Sequence, residues 1–179
     1  FASALNNAEI IKQAIIFHVN RAHQRLSKQR QLCAVVHVSL YEKVAQAPYK
    51  KAQSSVIGLM YATDDLMILT KSALQQIDVL FKENLKYVKV AVMFSALHSK
   101  SQHINDLWHP VDFIQQRDQL MDTLSSMKQR FGSDCIQVGY HSNQETWKMR
   151  QQNRSPSYTT RYSEILSIDD SHMAVTQIK

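Results

Sequence analysis

The sequence predicts an α+β fold: a ferredoxin-like antiparallel sheet with two helices on one face, followed by a linker and a small tail of one helix and one short strand. Three observations carry this expectation. Apolar side chains recur every three to four residues over 9–28 and 66–80, and they alternate over 32–41 and 86–94. With a further apolar run at 54–61, the segments follow one another as helix, strand, strand, helix, strand. At 179 residues, 44% hydrophobic and 20% charged, the chain is long enough to bury a core of its own.

The first helix, expected over residues 9–28, aligns Ile11, Ile15, His18, Ala22 and Leu26, with Lys12, Arg21, Arg25 and Lys28 largely off that stripe. His18 is expected to be a packed or edge histidine. In the strand over 32–41, Leu32, Ala34, Val36, Val38 and Leu40 share one face, and Cys33, Val35, His37, Ser39 and Tyr41 share the other. A polar connection containing Pro48, Lys50 and Lys51 leads to a second strand over 54–61, weakened by Gly58. Thr63-Asp64-Asp65 then starts the second helix. The acidic pair suits a cap and first turn better than a metal site, because anions are favoured at a helix N-terminus.

Leu66, Leu69, Ala73, Ile77 and Leu80 form the buried stripe of that helix, which is expected to end near Asn84. The third strand, over 86–94, would turn Val88, Val90, Val92 and Phe94 inward and Tyr87, Lys89, Ala91 and Met93 outward. Residues 1–5 are placed to supply the first strand of the unit. With both helices on one face the other stays open, carrying His37, Ser39, Tyr41 and Lys89, which can hydrogen-bond phosphate oxygens.

Regular patterning stops between 95 and 110, a linker centred on SKSQHINDLWHP. A helix over 113–131 follows, with Phe113, Leu120, Leu124, Met127 and Phe131 on one stripe and Gly132 as its stop. Residues 135–140 could form a short strand. The expected division is a domain over 1–97, a linker over 98–112, a tail domain over 113–169, and an end over 170–179. In that end Ser171-His172-Met173 resembles a cloning junction, and together with Phe1 in place of Met it points to a piece of a longer polypeptide.

The net charge of +6 is unevenly spread. Residues 1–62 hold eight Lys and Arg against Glu9 and Glu42, residues 63–98 hold four against four, and residues 99–179 hold nine against nine. The excess in the first third fits either a solvated basic face or a surface that follows a phosphate backbone. No apolar run approaches the ~18 residues of a membrane-spanning helix. Two cysteines far apart, Cys33 and Cys135, fit a reducing compartment, with a disulfide between them left open.

Catalytic signals are weak. His98, His103 and His109 lie close together, but zinc sites draw on two ligand clusters and no second cluster is visible. The chain has only three glycines and no phosphate-binding loop. In MRQQNRSPSYTTRYSEI, residues 149–165, Ser155-Pro156 imitates a proline-directed phosphosite, although a turn followed by an extended exit through Thr159-Thr160 explains it equally. QHINDLW, residues 102–108, ends in an aliphatic-aromatic pair that suits a partner's pocket or could pin the linker to its own domain.

Trp147, Met149 and Arg150, followed by Ser155-Pro156, Tyr158, Thr159, Thr160 and Arg161, resemble the C-terminal signature of UmuC-type Y-family DNA polymerases, the catalytic subunits of the SOS mutagenic polymerase V. The element order of residues 6–95, the run from Lys86 to Met93, and the eight-residue interval from Trp147 to Ser155 extend the resemblance over nearly the whole chain.

The resemblance implies that residues 1–97 form the little finger domain, whose open sheet grips the DNA backbone without reading sequence. Ser3, His37, Ser39, Tyr41, Lys43, Lys50, Lys51, Lys86 and Lys89 would be its DNA-binding residues. It also implies a sliding-clamp segment with Gln102, Ile104, Leu107 and Trp108, and a tail associated with the UmuD' dimer and RecA. Two departures stand out. One extra residue separates Gln102 from Leu107 with Trp108 in place of phenylalanine, which implies weak clamp binding, and Tyr162 and Arg154 stand where tryptophan and an apolar residue are frequent. The palm, with its magnesium-binding carboxylates, is expected upstream, so this stretch should bind primer-template DNA without extending it and without a cofactor of its own. A cytoplasmic, bacterial setting follows from the resemblance. An RNA-binding module of similar topology, or an adaptor that binds only protein, remain the alternatives.

Overall fold

The computed structural model describes residues 1, 3–43, 51–102, 111–132, 135–136, 138–139, 147–148, 155–157 and 159–164. Its contacts divide the chain into two units, Phe1–Met149 and Arg150–Lys179.

The first unit runs α1 (Ala8–Lys28), β1 (Gln31–Glu42), β2 (Lys51–Thr63), α2 (Leu66–Leu80), β3 (Tyr87–Ser99) and α3 (Val111–Phe131). The strands form an antiparallel sheet in the order β2-β1-β3. The first strand expected over residues 1–5 is reduced to one antiparallel bridge, Leu5 with Tyr87, on the outer edge of β3. This order makes both helical connections cross over one intervening strand: α1 passes from Leu5 over β3 to β1, and α2 passes from β2 over β1 to β3. A common right hand of crossover puts both helices on the same face. The core of the described residues therefore lies on that side, where Ile11, Ile15, Val19, Val36, Val38, Leu40, Leu69 and Ile77 are buried together.

Local chemistry explains the helix ends. Asn7 caps α1 by accepting from the Glu9 and Ile10 amides. Asp65 caps α2 by accepting from Met67 and Ile68, the role its acidity predicted. α2 stops at Leu80 rather than near Asn84, because the Tyr87 hydroxyl donates to the Leu80 carbonyl and accepts from the Lys82 amide. Gln76, fully buried, clasps α2 to the centre of the sheet by accepting from the Val38 amide and donating to the Val36 carbonyl.

Two irregularities move side chains to the other face. Tyr41 pairs with Lys89 but Glu42 pairs with Tyr87, so β3 carries Val88 as an extra residue. Tyr87 thereby turns into the core, where it is fully buried, against its expected outward position. Near the other end of β1, the register with β2 shifts between Cys33 and Val35, and Cys33 is buried where Ala34 was expected. β3 also continues to Ser99 through residues expected to begin the linker, because residues 95–99 pair with the start of β1. Backbone pairing needs no alternation of side chains.

On α1 the buried histidine is His23, whose Nε2 lies 2.8 Å from the Asp64 carbonyl oxygen, whereas His18 is half-buried beside Phe17 and Trp147. α3 packs with Met121, Leu124 and Lys128 inward. Leu120, Met127 and Phe131, expected on its buried stripe, are 44%, 38% and 62% exposed. The reason is the ionic seat of the helix: Arg117 pairs with Asp65, and Asp118 shares Lys100 with Asp64, which fixes α3 in a rotated setting. Trp147 packs edge-on against Phe17, ring centroids 5.1 Å apart, and half-buried Ile136 and Val138 pack against the same core. Among the described residues of 135–140 there is no strand.

In the second unit, Thr159 and Thr160 form a turn instead of the expected extended exit, with the Thr160 and Arg161 amides both donating to the Ser157 carbonyl. A short 3-10 helix, Tyr162–Glu164, follows.

Candidate nucleic-acid interface

The sheet face opposite the helices is built of cross-strand rungs. Ala52, Tyr41 and Lys89 form one, Ser54, Ser39 and Ala91 the next, Val56, His37 and Met93 the third, and Gly58, Val35 and Ser95 the fourth. Strand alternation dictates this grouping, since residues two apart share a face.

Hydrogen bonds tie the polar side chains across the rungs. His37 Nε2 lies 2.6 Å from Ser95 Oγ, and the Ser39 and Ser54 hydroxyls are 2.8 Å apart. The Lys89 ammonium stands over the Tyr41 ring at 4.9 Å from its centroid. Lys43 continues the β1–β3 ladder, its amide donating to the Lys86 carbonyl, and Lys51 pairs with Glu42 in the β1–β2 ladder. Lys43, Lys86 and Lys89 are exposed, so one end of the face is cationic, whereas Lys51, also exposed, pairs with Glu42 and alternates to the helix side of the sheet. The other end is apolar, with Val56, Met60 and Met93 exposed. Such a surface can hold phosphate oxygens at one end and make apolar contact at the other.

The structure thus brings His37, Ser39, Tyr41 and Lys89 onto one face and sets Lys43 and Lys86 at its end, while Lys51 alternates to the other side of the sheet. Ser3 is exposed two residues before Leu5, at the outer edge of β3. Lys50 lies outside the described residues. Sequence reasoning missed Ser54 and Ser95, which hold Ser39 and His37; cross-strand register is the signal for them and becomes readable only after pairing is known. The basic excess of the first third is also divided. Five of its eight cations, Lys12, Arg21, Arg25, Lys28 and Arg30, belong to α1 and the turn after it, not to the open face.

Within these four rungs His37 and Tyr41 are the only rings, and Lys89 covers Tyr41. Single-stranded RNA recognition on a sheet uses exposed aromatics that stack bases, so the face suits a backbone better.

Of the clamp-segment residues, Gln102 closes the 3-10 turn Lys100–Gln102, while Ile104, Leu107 and Trp108 lie outside the described residues. Of the tail signature, Trp147 is buried, Ser155, Pro156, Thr159, Thr160 and Arg161 are exposed, and Met149, Arg150 and Tyr158 lie outside the described residues. Residues 165–179 do as well. Both cysteines are free, Cys33 buried and Cys135 exposed. Among the described residues no group of His, Cys, Asp or Glu is arranged to hold a metal ion, and no helix is long and apolar enough to cross a membrane.

Fold and face together define an α+β domain with helices on one side of an antiparallel sheet and an open, partly cationic face on the other. Residues 1–107 match the impB/mucB/samB family C-terminal domain, and the chain belongs to that family, in agreement with the UmuC-type signature. Residues 118–168 match a second family, described as a domain of unknown function (DUF4113). The chain is 23% identical over 172 residues to Protein UmuC of Salmonella typhimurium, covering 94% of this chain and 40% of that protein. It is 24% identical to Protein SamB of Salmonella typhimurium and 25% identical to Protein MucB of Escherichia coli, covering 92% of this chain and 39% of each relative. The chain spans about 40% of the length of these curated relatives.

Proposed function

We propose that this chain is the DNA-gripping and partner-binding part of an error-prone translesion DNA polymerase of the SOS response, acting in bacterial DNA repair. The open sheet face lies along the primer-template backbone without sequence preference. The observation that carries this reading is the sheet face opposite the helices α1 and α2, with Lys89 braced on Tyr41 and Lys43 and Lys86 exposed at the same end. On this reading residues 1–97 grip DNA, residues 98–112 reach the sliding clamp through Gln102, Ile104, Leu107 and Trp108, and residues 113–169 serve the UmuD' and RecA partners. Nucleotidyl transfer and its magnesium belong to the palm of the parent polymerase.

Titration of labelled primer-template DNA over a salt series tests the reading. Binding should be weak, indifferent to sequence and steeply salt-dependent, because phosphate contacts release counterions. Lys43→Ala combined with Lys89→Ala should weaken it. No binding at low salt, or binding unchanged in the double variant, refutes the assigned face. Co-elution with the sliding clamp, lost on replacing Leu107 and Trp108 by Ala, tests the linker separately.

A further inference from the structure

Residues 10–41 contain no Asp or Glu. Within that interval Arg21, Arg25 and Lys28 are spaced by four and three residues, so α1 sets them on one stripe. All three are exposed, and the stripe lies away from Ile15, Val19 and Leu26, which face the core. Among the described residues the carboxylates in ion pairs are engaged elsewhere: Glu9 with Lys12, Asp64 and Asp118 with Lys100, Asp65 with Arg117. Arg21 is instead held over the Phe17 ring, 5.6 Å from its centroid. Arg25 and Lys28 lie in the last turn, where cations offset the carbonyl end of the helix, but Arg21 is a turn earlier and beyond that effect.

We infer that the Arg21, Arg25 and Lys28 stripe is a second polyanion surface, which takes the phosphodiester backbone of a nucleic-acid strand other than the one on the open sheet face. α1 lies across the sheet from that face, so one molecule presents two cationic surfaces back to back. Seven residues of helix advance ~10 Å, which matches about three phosphates of one strand at ~3.4 Å each along the axis. Gln24, Ser27 and Gln29 alongside supply further donors to phosphate. A protein partner would call for an apolar centre to its interface, and none of the large exposed hydrophobic side chains lies on α1.

The test uses the 179-residue chain with Arg21→Gln, Arg25→Gln and Lys28→Gln combined, beside the Lys43→Ala and Lys89→Ala variant. Two duplexes carrying donor and acceptor dyes report bridging by energy transfer, and a salt series reports the number of phosphates held. The unaltered chain should bring the duplexes together. The triple variant should remain folded with only a small drop in melting temperature, lose bridging, and lower the slope of log affinity against log salt by about 2 to 3 for duplex DNA. Bridging and slope unchanged in the triple variant overturn the inference, as does loss of poly-glutamate binding with DNA binding intact, which assigns the stripe to an acidic polypeptide. DNA binding lost in the triple variant but unchanged in the Lys43→Ala and Lys89→Ala variant sinks the open-face reading and leaves α1 as the polyanion surface.

Discussion

The Lys89 ammonium and the Tyr41 ring face each other across the β1–β3 ladder, 4.9 Å apart, on the side of the sheet opposite α1 and α2. The ring holds a long, mobile cation upright at the basic end of the face. Tyr41→Leu should therefore weaken DNA binding although it removes no charge. A double-mutant cycle with Lys89→Ala on DNA affinity should show coupling of about 0.5–1 kcal/mol, the size of an exposed cation–π contact. Additive effects would mean that Lys89 acts independently of Tyr41.

Asp65 serves two elements at once, capping α2 and pairing with Arg117 of α3. Asp65→Ala should lower stability by about 1–3 kcal/mol through loss of the cap and of the charged hydrogen bond. Asp65→Ser keeps a capping oxygen and should recover part of that loss. Arg117→Ala should loosen α3 selectively, which amide hydrogen exchange along 115–131 would detect.

Burial pushes the His23 imidazole below its ordinary range, Lys128 adds to the lowering, and the Asp64 carbonyl with the charges of Asp64 and Asp65 pulls the other way without reversing it. The folded protein thus keeps His23 neutral where the unfolded chain takes a proton. Stability tied to this group is present above the unfolded value of about 6.5 and declines as pH falls through it toward the lower folded value. Denaturant midpoints measured from pH 7.5 down to pH 5 should fall, and His23→Gln should flatten the profile. His18 is lowered too, by burial and then by Arg21, so some slope should persist in that variant.

The buried Tyr87 hydroxyl joins the end of α2 to the start of β3. Tyr87→Phe leaves the Leu80 carbonyl and Lys82 amide short of a partner and should cost about 1–3 kcal/mol in urea unfolding. DNA affinity should stay unchanged, since this residue points to the core and not to the open face.

The order of helices and strands, the Asp65 cap, the Gly132 stop with its positive φ, and the gathering of His37, Ser39, Tyr41 and Lys89 on one face were all legible in the residues alone. These follow from periodicity and from single-residue backbone chemistry, which are local. Tertiary structure decided the rest. An extra residue in β3 turned Tyr87 inward, ionic contacts from Arg117 and Asp118 chose which flank of α3 is buried, and strand pairing alone extended β3 to Ser99. Each of these depends on which segment lies alongside, and a periodic pattern carries no record of its neighbour. The same holds for the basic residues: sequence counted the charge of the first third, but only packing separated the lysines at the end of the open sheet from the stripe on α1.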